Sequence, residues 1–208
     1  GVGCGVRITI GEFNLSQLAS IIGAIENTGL KRFAVCQHID GSDWKAVKEE
    51  RREIIDFLID YAMKNPEMEV VTEQLYDDGV YLLQRVAEHE PELAVEMEKL
   101  LARQGGCPAG DRIVNVDYRG NVHLCPYWQY RTIGNIREQK LSDICFDEEN
   151  EILAMMKDKT QHLKGKCGRC MHKHLCRGCG ARAEEMCGDL FGTDPACYLT
   201  EKEVAAVR

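Results

Sequence analysis

Residues 5–10, GVRITI, alternate in polarity and are rich in β-branched side chains, the pattern of a strand. After a short GEF turn, Asn14 is placed to cap a helix on which Leu15, Leu18, Ile21, Ile22 and Ile25 recur at threes and fours, with Gly29 as its stop. RFAVCQHI, residues 32–39, reads as a second, buried strand. Strand, helix and strand make a βαβ unit, which calls for parallel strands and a right-handed crossover. Residues 43–65 are helical, with Val47, Ile54, Ile55, Leu58, Ile59 and Ala62 on one face and the KEERRE run, 48–53, as a solvated face. A short strand, MEVVTE, follows. Two helical segments then fill 79–103, separated near Pro91 and ended by Gly105 and Gly106.

After Cys107 the pattern shifts to short strands and turns. DRIVNVDYRGNVHLC has apolar residues alternating on both sides of a turn at Arg119 and Gly120, so a hairpin is expected that brings Cys107 near Cys125. A helix from Leu141 to Met156, a cysteine-rich segment and a polar terminal helix complete the chain.

The formal charge of −8 excludes nucleic-acid binding that rests on phosphate neutralisation. No run of 18 apolar residues occurs, and the first ten residues lack the regions of a signal peptide, so a cytoplasmic protein with no membrane partner is expected. The chain opens with Gly1, not Met, at the edge of a strand, which suggests that a larger protein precedes it.

Cysteine changes the picture most. Of eleven, only Cys4 and Cys36 precede residue 100, and nine crowd into 107–197. Close Cys-x2-Cys spacing without a signal peptide favours metal ligation over disulfides. The core of the pattern is Cys167-x2-Cys170-x5-Cys176-x2-Cys179, continued by Cys187 and Cys197. Such loops hold zinc or an iron-sulfur cluster, and nine thiols exceed what one four-coordinate zinc needs. His162, His172 and His174 flank this segment and should face solvent, since the spacing of MHKHL would put 172 and 174 on one side of an extended loop.

These residues resemble the SPASM domain of radical S-adenosylmethionine enzymes over about 105–200, in spacing and in filler: GNVHLCPYW, IGNIRE leading to LSDIC, CGRCMHKHLCRGCGARAEEMCGD and DPACYL. The resemblance implies an α/β fold, the C-terminal part of a radical S-adenosylmethionine partial barrel (residues 1–104, with a helical linker) followed by a cysteine-rich domain of short strands and loops (105–208). It implies two auxiliary four-iron clusters, the distal one on Cys167, Cys170, Cys176 and Cys197, the nearer one on Cys107, Cys125 and Cys179. Cys145 or Cys187 would be the fourth ligand of the nearer cluster or a buried, inert thiol. The family commonly has three residues, not two, before the last thiol of the run. Its cofactor motif, Cys-x3-Cys-x2-Cys, is absent here, so S-adenosylmethionine and a third cluster are expected only in a full-length protein.

The text from Glu73 to Trp128 looks most like the branch that modifies tetrapyrroles in haem and haem d1 biosynthesis, which includes the haem d1 enzyme, the didecarboxysiroheme deacetylase and the alternative haem synthase. That implies a siroheme-derived substrate and an electron donor such as ferredoxin or flavodoxin. His38, His123 and Tyr127 would serve an iron, and Arg7, Arg112 and Arg131 propionate arms. Arg7 also stands where such barrels contact the cofactor. Competing readings are a peptide-modifying enzyme of the same family, a non-catalytic zinc protein that recruits a partner, and a ferredoxin-like carrier.

Overall fold

The period-2 alternation of the first two strands sorts their side chains onto two faces, and that sorting builds the site. In the computed structural model, residues 3–11, 13–37, 44–73 and 76–205 are described, with side chains 44–47 left out. β1 (Val6–Ile10), β2 (Arg32–Gln37) and β3 (Glu69–Glu73) form one parallel sheet in the order β1-β2-β3. Val6 lies opposite Phe33, and Cys36 lies between Thr9 and Glu73. Ile8, Ile10, Phe33 and Val35 are buried on one face. Arg7, Thr9 and Cys36 point to the other and line a cavity.

The buried face is covered by α1 (Leu18–Glu26), entered through a short 3₁₀ turn at Leu15–Gln17, and by α2 (Trp44–Lys64). Asn14 does not cap this helix. Its side-chain oxygen instead accepts the Gly11 N–H at 3.0 Å and its amide donates to the Thr9 carbonyl at 3.0 Å, closing the preceding turn. Ile54, Ile55 and Leu58 face the core as expected, whereas the Val47 side chain, the start at residue 43 and residues 38–39 of the second strand lie outside the described residues.

KEERRE is not a solvated face throughout. Arg51 is fully buried, its Nε donating to Asp78 Oδ1 at 3.0 Å and its Nη2 to Asp78 Oδ2. Arg52 stacks its guanidinium 4.6 Å above the Tyr81 ring and holds Glu203. Asp78 belongs to α3 (Asp77–Ala87), which is followed by α4 (Pro91–Gln104), whose C-terminus ends on Gly105 at φ 69°. Aspartates buried beside α2 explain why charge was drawn inward.

In the second half, β4 (Asn115–Val116) and β5 (Asn121–His123) form the expected hairpin, Asn115 opposite His123. A third strand, β6 (Thr132–Asn135), adds to β5. The segment 141–156 is two helices, α5 (Leu141–Cys145) and α6 (Glu151–Lys157), because Asn150 restarts the backbone by accepting the Leu153 N–H at 3.2 Å. Short helices α7 (Lys159–His162), α8 (Gly165–Arg169), α9 (Lys173–Cys176), α10 (Gly180–Cys187) and α11 (Glu201–Ala205) follow.

The larger core joins β1, β2, α1 and α2 to Leu175, Tyr198, Leu199 and Val204, so the end of the chain seals the first half. A smaller core gathers Leu124, Trp128, Leu153, Met156 and Phe191 with Cys107 and Cys125. No helix among the described residues is long and apolar enough to cross a membrane.

Candidate metal centres and the cavity beside them

None of the eleven cysteines is joined in a disulfide. Seven of those in the second half fall into two groups, each lining its own cavity. Cys167, Cys170, Cys176 and Cys197 line a small space with Asp77, Lys166, Lys173 and Asp194. Cys107, Cys125 and Cys179 line a cavity of about 690 Å³ that reaches across to Arg7, Thr9, Cys36 and Gln37 of the sheet. Cys167 and Cys170 share a cavity, as close spacing suggests. Cys176 and Cys179 do not, although two residues also separate them. Arg177 at φ 64° and Gly178 at φ 55° turn the chain through two left-handed positions between them. A side chain at 178 would stand 3.2 Å from Cys167 Sγ.

Burial raises thiols in both groups. Cys179 is pushed up to about 11 by burial, with Asp194 adding to the rise and Arg182 opposing it. Cys197 is pushed up to about 12 by burial and then by Asp77, and Cys176 rises well above its ordinary value for the same reasons. Cys125, Cys167 and Cys170 are raised mainly by burial. Asp77 itself is carried up to about 7 by burial beside Asp78 and Asp194. Neutral buried thiols become ligands by giving up their protons to a metal, which then supplies the compensating charge. Lys159, 1% exposed, donates to the Gly178 carbonyl at 2.8 Å and acts on Cys125 and Cys167 alike.

Among the described residues no three His, Cys, Asp or Glu side chains converge closely enough to hold a single metal ion. Thiols around a multi-iron cluster each take a different iron and need not meet at one point. The four-thiol donor set is complete for such a cluster. The three-thiol set is one donor short of that number.

Cys145 ends α5 half-buried and Cys187 ends α10 exposed; neither lines either cavity, and exposure overturns the expectation of a buried Cys187. Arg7 faces the large cavity and holds Glu73, on the far edge strand, at 2.6 Å. Tyr127 lines the cavity mouth, 67% exposed. His123 is buried away from it, between Asp117 at 3.3 Å and the Arg131 carbonyl at 3.0 Å. Arg112 donates to the Gly105 and Gly106 carbonyls and Arg131 pairs with Glu184, so neither lines the cavity. His38 lies outside the described residues.

His172 contradicts the solvent-facing expectation: it is 6% exposed with Nε2 at 3.1 Å from the Gln84 amide, because its segment enters a helix and is not an extended loop. His162 is half-buried against the Phe191 ring, and His174 is exposed.

Sequence reasoning missed Cys36, Gln37, Tyr76 and Arg182 as cavity residues. The alternation of RFAVCQ contained the signal for Cys36, since it shares the face of Ala34, opposite Phe33 and Val35. Tyr76 is pushed up to about 12 by burial and by the thiol Cys107.

The two thiol groups and the parallel sheet define a class. Residues 107–171 match the SPASM family, described as an iron-sulfur cluster-binding domain. Over 98% of its length the chain is 31% identical to the Fe-coproporphyrin III synthase of Methanosarcina barkeri, covering 55% of that protein. It is likewise 31% identical over 98% of its length to the pre-heme d1 synthase of Dinoroseobacter shibae, covering 53% of it. An AdoMet-dependent heme synthase of Methanosarcina barkeri is 37% identical over 51% of the chain and is covered over 29%. The chain thus spans about half the length of the first two relatives.

Among solved structures, Streptococcus suis SuiB bound to S-adenosylmethionine superposes on 94% of the chain with a TM-score of 0.60 at 17% identity, the chain covering 45% of it. SuiB bound to its precursor peptide SuiA gives 0.63 over 96% at 16% identity, again covering 45%. These likenesses establish the fold: an open α/β sheet followed by the cysteine-rich domain.

Proposed function

We propose that this chain is the cluster-bearing part of a radical S-adenosylmethionine oxidoreductase that acts on a siroheme-derived tetrapyrrole in haem or haem d1 biosynthesis. The observation that carries this is the separation of seven thiols into a group of four around a small space and a group of three on a roughly 690 Å³ cavity. The group of four, Cys167, Cys170, Cys176 and Cys197, would hold one four-iron cluster. Cys107, Cys125 and Cys179 would hold the second, with the fourth position open to the cavity. Clusters held by these thiols would supply one-electron exchange, and S-adenosylmethionine with a third cluster would belong to a full-length protein.

This chain's own residues bind and enclose. Tyr127 and Tyr76 offer flat apolar surface at the mouth, and Arg7 offers a cation to a substrate carboxylate or to the cofactor. Electrons would come from a ferredoxin or flavodoxin. The names of the relatives support a tetrapyrrole; SuiB shares the fold at 17% identity and carries no argument for a peptide substrate.

The deciding measurement is iron, zinc and acid-labile sulfide per chain on anaerobically purified protein, with an electron paramagnetic resonance spectrum after reduction. Two four-iron clusters give roughly eight iron with matching sulfide. Stoichiometric zinc without sulfide replaces this reading with a zinc-built scaffold.

A further inference from the structure

The wall between the two thiol cavities is a buried ion pair. Arg182 lines the large cavity and Asp194 lines the small one. Arg182 Nε donates to Asp194 Oδ1 at 2.9 Å and Nη2 donates to Oδ2 at 2.6 Å, with side chains 15% and 5% exposed. The same aspartate touches both thiol groups through the backbone. Its N–H donates to Cys167 Sγ at 3.3 Å, and its Oδ2 accepts the Cys179 N–H at 3.0 Å. A third bond, from the Ala196 N–H to Oδ1 at 3.0 Å, fixes the carboxylate in place.

A cation on one side of this wall and an anion on the other make a dipole with its positive end toward Cys107, Cys125 and Cys179. In a medium of low dielectric such fixed charges are felt strongly. An added electron is stabilised by the cation and repelled by the anion. From this geometry we infer that the Arg182–Asp194 pair tilts a shared electron toward the group held in the large cavity and away from the group held by the four thiols. This rests on the two-cluster reading above.

Other charges set the absolute potentials. Lys166, Lys173 and Asp77 face the small cavity, Arg7 and Glu185 face the large one, and Lys159 stands between. They leave the sign of the pair's own contribution unchanged. Asp194→Asn removes a negative charge nearer the four-thiol group and raises its potential more than that of the other. Arg182→Gln removes a positive charge nearer the three-thiol group and lowers its potential more. Opposite charge changes therefore shift the potential difference, large-cavity group minus four-thiol group, in one direction, downward. A purely structural role for the pair predicts no such agreement in sign.

The test is a potentiometric electron paramagnetic resonance titration of anaerobically purified full-length protein, with Cys170→Ser and Cys125→Ser assigning the two signals. Both charge-removing variants should shift the electron's distribution away from the large-cavity group about tenfold, which is about 59 mV for one electron. Arg182→Lys, which keeps the charge, should stay near the wild-type difference. Should Asp194→Asn fail to take up iron, the Arg182→Gln and Arg182→Lys comparison decides alone. Two clusters whose potential difference is unmoved, or moves oppositely in the two variants, overturn the tilt and leave the two-cluster reading standing. A single auxiliary signal in the wild type overturns both.

Discussion

The backbone N–H of Cys107 donates to the carbonyl oxygen of Cys176 at 3.0 Å, which ties a thiol of the large cavity to a thiol of the small one through main chain alone. This approach is permitted by Gly106, at φ 61°, where an added Cβ would run into that same carbonyl. Gly106→Ala should therefore cost about 1–3 kcal/mol of unfolding free energy and lower iron uptake at both centres. Gly29→Ala is the comparison, since Gly29 also has a positive φ but nothing within 4 Å of an added Cβ. Equal denaturant midpoints for the two variants would remove the close approach from the account.

Arg51 and Asp78 form a second buried pair, extended by the Tyr198 hydroxyl, which donates to Asp78 Oδ1 at 3.1 Å. Removing one partner strands the other charge in the core. Arg51→Met or Asp78→Asn is expected to cost roughly 3–5 kcal/mol, read from urea unfolding. Arg169→Met, breaking the exposed Arg169–Glu201 pair, should cost under about 1 kcal/mol.

Asp117 organises the hairpin turn. Its Oδ1 accepts the backbone N–H groups of Arg119 at 2.8 Å and Asn121 at 2.9 Å, and its Oδ2 takes the Asn121 amide and His123. Partial enclosure works against the charge, but these bonds outweigh it and hold the carboxyl down to about 2. A depressed carboxyl contributes stability that is present above its unfolded value, about 3.9, and is lost as pH falls toward the folded one. Thermal scans between pH 5 and pH 2 should show this hairpin contribution fading in the wild type. Asp117→Asn should lack that component, and parallel acid profiles for the two proteins would refute the assignment.

Iron counting separates ligands from bystanders. Cys170→Ser should remove about four iron per chain and spare the other centre. Cys145→Ser and Cys187→Ser should leave iron unchanged, because neither thiol lines a cavity. A drop in either would make that thiol the fourth ligand.

Alternation and helical periodicity were enough to reveal the βαβ start, the hairpin and both helices around Pro91, because each reflects burial on one face of a local element. KEERRE misled for a physical reason: whether Arg51 is solvated depends on Asp78, 27 residues away and invisible to any window. The cysteine spacing announced metal ligation, yet it gave no sign that Cys176 and Cys179 part company. That outcome is set by the left-handed backbone at Arg177, a residue with no reputation for such a conformation. Asp194, within DPACYL, has no periodicity or spacing that marks it. Its role as a wall between cavities emerges when the chain beyond Cys187 folds back beside Arg182. His172 faced inward because four residues of helix replaced an extended loop.

The seal made by Tyr198, Leu199 and Val204 sets an order of events during synthesis. Arg52 donates to Glu203 at 3.0 Å and to the Tyr198 carbonyl at 3.1 Å, partners made 151 and 146 residues after it. Until those residues leave the ribosome, Arg51, Arg52 and the apolar floor of the sheet have no final cover. Contacts of such long range close slowly, and the nascent first half would spend that interval as a client for chaperones. The same order keeps Cys197 from joining Cys167, Cys170 and Cys176 until it too has been made, so the four-thiol group is the later of the two to assemble.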